Sequence, residues 1–204
     1  MTNFANAGIV DSSMQTDLIT YGNAHIDTST VKYGSGSMYF DGTSYMTADS
    51  SSNTAFGTGD FTIEMWANFA ATSWSYLLDA RTTGDWALGF YLDSTNAGLQ
   101  WWVGTSTVAG SAVLTGPTIS TGAWHHIAIV RHSGTLTMYV DGTAVTSATD
   151  STNYISYNPL TIGARYASNT SISYLNGYID DLRITNGYAR YTASFTPPTQ
   201  LPTY

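Results

Sequence analysis

The chain contains no cysteine and very little charge. Without cysteine, neither a disulfide framework nor a thiolate metal site can form. Charged residues make up 10% of the 204 residues, whereas typical soluble domains have about 25%. Only six side chains are lysine or arginine, and the net charge is −8. A chain this poor in basic residues offers no surface for a phosphate backbone, so we expect no nucleic-acid partner.

Long apolar runs are also missing. No stretch of about 18 apolar residues occurs, so we expect no insertion into a membrane. The first residues, Met1-Thr2-Asn3-Phe4, lack the positive and apolar regions of a signal peptide. We therefore expect a protein that stays in the cytosol or is released by lysis. Hydrophobic residues make up 43% and aromatic residues 14%, which supplies a core and argues against disorder.

Alternation of apolar and polar residues predicts strands along most of the chain. In 61–69, Phe61, Ile63 and Met65 alternate with Thr62 and Glu64, which is typical of a strand with one buried face. The same criteria predict nine further strands, and no stretch shows the period of an amphipathic helix. These strands are 37–41, 45–48, 76–80, 87–92, 99–103, 127–130, 135–140, 160–163 and 178–184.

Turn residues separate the predicted strands at short intervals. Asp41-Gly42 and Asp141-Gly142 are pairs that accept the positive φ angles of tight turns, and we expect both to close hairpins. A length of 204 residues suits one undivided all-β domain. The prediction is an all-β, two-sheet antiparallel jelly-roll sandwich over residues 1–204, with an N-terminal strand region at 1–32. An extended proline-containing tail at 192–204 is expected to run along the domain or onto a neighbouring chain.

Several segments, in this order and spacing, resemble the laminin-G-like, concanavalin-A-like superfamily, which implies the same jelly-roll fold. They are Tyr33–Gly42, Gly59–Trp66, Trp124–Arg131, Leu136–Gly142 and Asn176–Thr185. The ending 183–198 resembles the version of this domain found in bacteriophage virion and tail proteins. That resemblance implies a virion location, with synthesis in the host cytoplasm and release by lysis.

The residues give little sign of catalysis. Glycoside hydrolysis usually needs two carboxylates about 5 to 10 Å apart, and Glu64 is the only glutamate, expected to be an exposed residue on the outer face of its strand. No Gly-x-Ser-x-Gly elbow occurs. His125 and His126 are adjacent on a strand and face opposite sides, so they cannot chelate one metal together. We expect no enzyme activity, and the resemblance places this histidine pair in the strand scaffold.

Calcium is a further expectation that comes from the resemblance, because many members of the family bind this ion at the edge or rim of the sandwich. Asp41 and Asp180 are the candidate ligands by motif position, and carboxylates are what a hard cation prefers. Asp181 is the neighbouring alternative to Asp180, since adjacent strand residues diverge. The alternative interpretation is structural: these acids cap turns and pair with arginines.

Sugar stacking is predicted at aromatic residues of three kinds: Trp74 and Trp86, which flank the 81–85 turn, one ring of an adjacent tryptophan pair, and tyrosines in or beside loops rich in Asn and Ser. A sugar's C–H face packs on an aromatic ring while polar side chains satisfy its hydroxyls. In the adjacent pair Trp101-Trp102, one ring must point inward and the other outward. The candidate ligand contacts are Trp74, Trp86, Trp102, Tyr154, Tyr157 and Tyr166.

Two functions suit these expectations best. The first is a lectin-like module on the virion surface that attaches to host-surface glycans. The alternative is a capsid decoration, cement or tail protein that stabilises the particle through other virion subunits without binding sugar. A homo-oligomer on the particle is expected for either function, and glycoside hydrolysis is the third and least favoured interpretation.

Overall fold

A computed structural model of the chain shows sixteen β-strands and no helix in the residues that it describes. None of those residues forms a helix that could span a membrane. Strands β1 (Thr2–Asn3) and β2 (Val10–Asp11) form a small antiparallel pair of their own, and the other fourteen build two sheets. The structure describes residues 2–3, 10–11, 17–48, 55–81, 87–93, 98–104, 111–155, 159–165 and 173–199.

The first large sheet, called sheet I, contains seven strands in the spatial order 11-10-9-8-15-6-3. All of its pairings are antiparallel. Its members are β3 (Leu18–Tyr21), β6 (Tyr45–Ala48), β8 (Ser75–Asp79), β9 (Ala87–Asp93), β10 (Gly98–Gly104), β11 (Ser111–Thr118) and β15 (Leu160–Ile162).

The second large sheet, sheet II, also has seven antiparallel strands, in the order 14-13-12-7-16-5-4. The predicted all-β sandwich of two antiparallel sheets is therefore confirmed. The members of sheet II are β4 (His25–Asp27), β5 (Ser37–Asp41), β7 (Phe61–Phe69), β12 (Trp124–His132), β13 (Thr135–Val140), β14 (Thr143–Thr149) and β16 (Asn176–Asn186).

The core lies between the two sheets and follows the predicted alternation. In β7, Phe61, Ile63 and Met65 are fully buried, and Ile63 lies opposite Ile129 of β12. Sheet I contributes inward residues such as Phe90. Burial of such a side chain stabilises the fold by about 1.5–3 kcal/mol, so this shared core is what holds the sheets face to face.

The two Asp-Gly pairs lie in different kinds of turn. Asp141 and Gly142 both have positive φ, 49° and 79°, and they join β13 to β14 as the predicted hairpin turn. Asp41-Gly42 instead connects β5 of sheet II to β6 of sheet I, so the expected hairpin at this pair is wrong. Here the Asp41 carboxylate accepts hydrogen bonds from the backbone N–H and hydroxyl of Thr43, which turns the chain between the layers.

The C-terminal segment, residues 187–199, lies across the outer face of sheet II. Its Tyr191 and Phe195 rings stack on each other with centroids 3.5 Å apart, and both rings also contact Tyr139. The backbone N–H of Phe195 donates to the carbonyl of Gly142, a contact so close that a β-carbon at Gly142 would overlap Phe195. As far as residue 199, the predicted extended tail thus packs on its own domain.

Candidate functional site

The candidate site lies on the outer face of sheet I, around β8, β9 and β10. Tyr91 of β9 is paired with Gln100 of β10 and with Tyr76 of β8, so the three side chains share one face. Their neighbours Phe90 and Leu92 point the other way, into the core. Strand alternation therefore places a group of aromatic and polar side chains on the surface opposite the core.

Four aromatic rings form a connected platform on this face. Trp74, just before β8, stacks on Tyr91 with centroids 5.2 Å apart and an angle of 13° between the rings. Tyr91 in turn stacks on Tyr76 at 4.8 Å and meets Trp102 at 6.2 Å. Tyr76 and Tyr91 are buried and Trp102 is half-buried, whereas Trp74 is 43% exposed. The platform thus presents one flat ring to solvent on a rigid aromatic support.

A chain of hydrogen bonds runs beside the platform. The Tyr91 hydroxyl donates to Oε1 of Gln100 at 2.8 Å, and Nε2 of Gln100 donates to Oδ2 of Asp93 at 2.8 Å. Burial, reinforced by the charge of Asp93, raises the pKa of Tyr91 well above its usual value. The phenol therefore stays protonated and keeps donating, which fixes the amide and carboxylate in one orientation.

An ion pair supports the platform from the side of β8. Arg81 Nε lies 2.8 Å from Oδ1 of Asp79 and its Nη2 donates to Oδ2 at 2.9 Å, a two-point contact. The guanidinium also lies 5.3 Å from the centre of the Tyr76 ring. It fills the space above Gly89, where a β-carbon would come within 3.0 Å of it. Tyr76 therefore contacts both the Tyr91 ring and the Arg81 guanidinium.

The arrangement suits the stacking of a small ring with an apolar face. An exposed indole offers a flat apolar surface, while the half-buried Asp93 beside it offers carboxylate oxygens to hydroxyl groups. That combination is what a sugar ring needs from a protein surface. The two carboxylates of this group are Asp79, which is buried and paired with Arg81, and the half-buried Asp93.

Of the six predicted aromatic contacts, the structure brings Trp74 and Trp102 together on this face. The expected split of the tryptophan pair is confirmed, because Trp101 is fully buried in the core and Trp102 points outward. Trp86, Tyr157 and Tyr166 lie outside the described residues.

Tyr154 is a core residue, and its prediction as a ligand contact is wrong. Only 1% of it is exposed, because its ring packs between Phe61 and Trp101. Its hydroxyl donates to Asp150 at 3.0 Å and accepts from the Trp101 indole at 3.1 Å. The same Asp150 pairs with the buried Arg131 at 3.1 Å, so Tyr154 belongs to an internal polar cluster.

Sequence reasoning missed Tyr76, Tyr91 and Gln100. Their signal was present, because predicted strands 87–92 and 99–103 already put every second residue on the outer face. What the sequence did not show was which strands lie side by side and which of the rings on this face stays exposed.

The structure does not bring the two predicted calcium ligands together. Asp41 lies opposite Asn176, and Asp180 is four residues further along β16, which is about 13 Å at strand spacing. Asp180 is buried, and its oxygens accept from the backbone N–H groups of Lys32, Tyr33 and Asp181. The described residues contain no group of three or more His, Asp or Glu side chains suited to a metal. The pair does not fit a shared ion, and calcium binding elsewhere stays a prediction.

Glu64 lies on the outer face of its strand as predicted, but it is only 3% exposed, so its interpretation as an exposed residue is wrong. The C-terminal segment covers it: Arg190 Nε lies 2.8 Å from Oε1, and the Tyr191 hydroxyl donates to Oε2 at 2.6 Å. Arg183 and His126 each approach the carboxylate to 3.4 Å. Burial alone would raise its pKa, but these hydrogen bonds and guanidiniums hold the pKa of Glu64 below its usual value.

The family model of the concanavalin A-like lectin/glucanases superfamily matches residues 40–190. The chain belongs to this superfamily. The match spans most of the sequence and includes β7, β8, β9 and β10, which build the aromatic platform. No curated protein sequence matches the chain.

Solved structures with the same fold have low sequence identity to the chain. Domain 4 of AbnA, a GH43 extracellular arabinanase from Geobacillus stearothermophilus solved in complex with arabinotriose, has a TM-score of 0.68 at 15% identity. It is aligned over 92% of this chain and 88% of that one. The carbohydrate-binding module CBM66 from Bacillus subtilis scores 0.53 at 14% identity, over 83% and 95%. The receptor-binding domain of botulinum neurotoxin type G scores 0.65 at 14% identity, over 90% and 46%.

Proposed function

We propose that the chain is a lectin-like binding module that holds a glycan on the outer face of sheet I. The observation that carries the proposal is the exposed Trp74 ring, stacked at 13° on Tyr91 and backed by Tyr76 and Trp102. A rigid aromatic surface binds a sugar ring without first having to be ordered, which lowers the entropic cost of binding. Trp74 would stack on the sugar, and Asp93 would accept from its hydroxyls.

The names of the structural relatives support this class of ligand. Domain 4 of the arabinanase was solved with arabinotriose, and CBM66 is a carbohydrate-binding module. At 14–15% identity these likenesses establish the fold alone, so the glycan-binding role of this chain depends on its own platform.

Glycan-array binding of a multimerised form tests the proposal. Wild type should bind a defined set of glycans, and Trp74→Ala should weaken that binding at least tenfold, about 1.4 kcal/mol. The matched control is Tyr188→Ala, since Tyr188 is 62% exposed but lies on the C-terminal segment over sheet II. Unchanged binding by Trp74→Ala, or equal losses in both variants, would refute the platform as the site.

We further propose that this module is displayed on a phage particle and attaches it to host-surface glycans. The proposal is supported by the phage-like ending at 183–198 and by a surface low in charge and rich in hydroxyl groups. Weak binding at one site suffices on a particle, because many copies raise the effective concentration. Mass spectrometry of purified virions should detect the chain, and its absence would remove this part. Presence without glycan binding, in particles that fall apart when the protein is missing, would favour the cement function.

A further inference from the structure

Ser120, His125 and Asp141 form a hydrogen-bonded relay at one end of sheet II. The Ser120 hydroxyl lies 2.8 Å from Nε2 of His125, and Nδ1 of the same imidazole lies 2.8 Å from Oδ2 of Asp141. Both ring nitrogens are therefore engaged, one by a hydroxyl and the other by a carboxylate. This is the connectivity of a nucleophile, a general base and the group that orients the base.

Backbone elements position His125 and Asp141. His125 is the second residue of β12, and Ser120 lies in the loop just before that strand. Asp141 occupies the β13–β14 turn, where its Oδ1 accepts from the N–H of His126 at 2.9 Å and its own N–H donates to the His126 carbonyl. The carboxylate is thus held by a backbone contact at one oxygen, which leaves the other to orient the imidazole.

The relay is accessible from solvent. Ser120 is exposed, and the side chains of His125 and Asp141 are 16% and 48% exposed. A serine hydroxyl is a weak nucleophile by itself, and an adjacent imidazole held in the right orientation activates it by accepting its proton.

We propose that Ser120 is an activated nucleophile that takes an acyl group from small carboxylic esters. Its oxygen attacks the carbonyl carbon while its proton passes to Nε2 of His125. The ester C–O bond then breaks, and the alcohol leaves with that proton. Water, deprotonated by His125, attacks the acyl-serine, the acid departs, and the proton returns to Ser120. No redox partner is needed, and the activity is separate from glycan binding on sheet I.

The chain carries an internal control for this chemistry. His132 also pairs with a carboxylate, with 3.1 Å between its Nδ1 and Oδ2 of Asp60. In the described part of the chain, no hydroxyl bonds to its Nε2, and Asp60 instead accepts from the backbone N–H of Ser133. An exposed histidine–aspartate pair without a serine therefore occurs in the same protein.

A fluorophosphonate probe and p-nitrophenyl acetate test the proposal in the full chain. The probe should label wild type on the peptide that contains Ser120. Ester hydrolysis should fall at least tenfold in Ser120→Ala and in His125→Gln, since a general base contributes about 10²–10⁴ in rate. His132→Gln should leave the rate unchanged. Labelling elsewhere, or full activity in Ser120→Ala, would overturn the proposal.

A thiol reporter keeps the test valid if Ser120→Ala is unstable. Because the chain has no cysteine, Ser120→Cys introduces a single thiol, and Thr121→Cys places a control thiol on the next exposed residue. A neighbouring imidazole favours the reactive thiolate. At pH 6, iodoacetamide should alkylate Ser120→Cys at least tenfold faster than Thr121→Cys, and adding His125→Gln should remove the difference. Equal rates in the two single variants would contradict an activating relay.

Discussion

The two outer faces of the sandwich use similar residue types in opposite ways. On sheet I, Trp74 is open to solvent above a stack of aromatic rings. On sheet II, Trp66 and Glu64 are buried, and the C-terminal segment covers the carboxylate with Arg190 and Tyr191. On the first face the exposed Trp74 ring can stack with a ligand, whereas on the second the chain's own C-terminal segment covers the carboxylate.

The difference shows that residue type alone does not identify a binding face. A tryptophan and an acid two residues apart in β7 would suit a sugar, yet both are inaccessible. What decides is whether another part of the chain already occupies the face. Four substitutions test this difference between the two faces.

Glu64→Ala should have the largest effect, a loss of about 3 kcal/mol in the free energy of unfolding. Removing one partner of a buried ion pair leaves the opposite charges uncompensated, which costs about 3–5 kcal/mol. The lower end applies because the Arg190 side chain is partly exposed and can rehydrate. Urea unfolding measures the change. The exposed Asp17→Asn should stay within about 0.5 kcal/mol of wild type. Similar values for both variants would mean that the C-terminal segment does not bury Glu64 on sheet II.

Asp181→Asn should stabilise the protein at pH 7 by about 1–3 kcal/mol. Burial raises the pKa of Asp181 to about 6, with Glu64 and Asp180 adding to the rise and Arg183 and His126 opposing it. The folded chain then holds a proton that the unfolded chain has released. The stability contributed by this group therefore falls as the pH rises from about 4 to about 6. Asparagine removes the charge and tolerates the φ of 48° at this bulge.

The pH dependence supplies the check on that prediction. Urea unfolding measures the difference in the free energy of unfolding between variant and wild type. This difference should be small at pH 4 and should reach its full size at pH 7. Taking the difference cancels the contributions of the acids that do not interact with Asp181. An equal difference at both pH values would contradict a raised pKa of the buried Asp181.

Tyr191→Phe should cost about 1–2 kcal/mol. The variant removes the hydroxyl that donates to Glu64 at 2.6 Å but keeps the ring that stacks on Phe195. Amide hydrogen exchange should then increase in 187–199 more than elsewhere, because that hydrogen bond ties the segment to sheet II. Tyr188→Phe is the matched control. Faster exchange in both variants would mean that loss of the hydrogen bond to Glu64 is not the cause.

Trp74→Ala should have the smallest effect on stability, within about 1 kcal/mol of wild type, because the ring is largely outside the core. Differential scanning calorimetry can measure it alongside the glycan-binding assay. A drop in melting temperature as large as that of Glu64→Ala would show that Trp74 is a structural residue, and the contrast between the two faces would then fail.

The sequence predicted all ten interior strands of the two large sheets, but it gave the edge strands β3 and β4 only as an undivided strand region and did not predict β11 or β14. Interior strands are covered on one face by the core and carry regular apolar alternation. The edge strands β3, β4, β11 and β14 bury less, and most side chains of β14 are exposed or half-buried. Their formation depends on a neighbouring strand that local periodicity does not reveal.

The candidate site was predictable only in part, because its members are defined by contacts distant in sequence. Alternation correctly predicted that the Trp101-Trp102 pair splits between the two faces, but Tyr154 is buried through Trp101, 53 residues away. Glu64 is buried by Tyr191, 127 residues away. The Ser120–His125–Asp141 relay has no sequence motif, because a loop and a hairpin turn bring its members together.

The anchored C-terminal segment and the exposed Trp74 ring lie on opposite sides of the domain. The hydroxyl of Tyr33 holds the carbonyl of Pro198 at 2.6 Å, so the described chain ends on the side of sheet II. Trp74 lies on the opposite side, over sheet I. A bead, fluorophore or carrier attached at residue 199, where the described C-terminal segment ends, would lie on the side opposite Trp74. Immobilisation through that end should leave the indole pointing into the bulk solution.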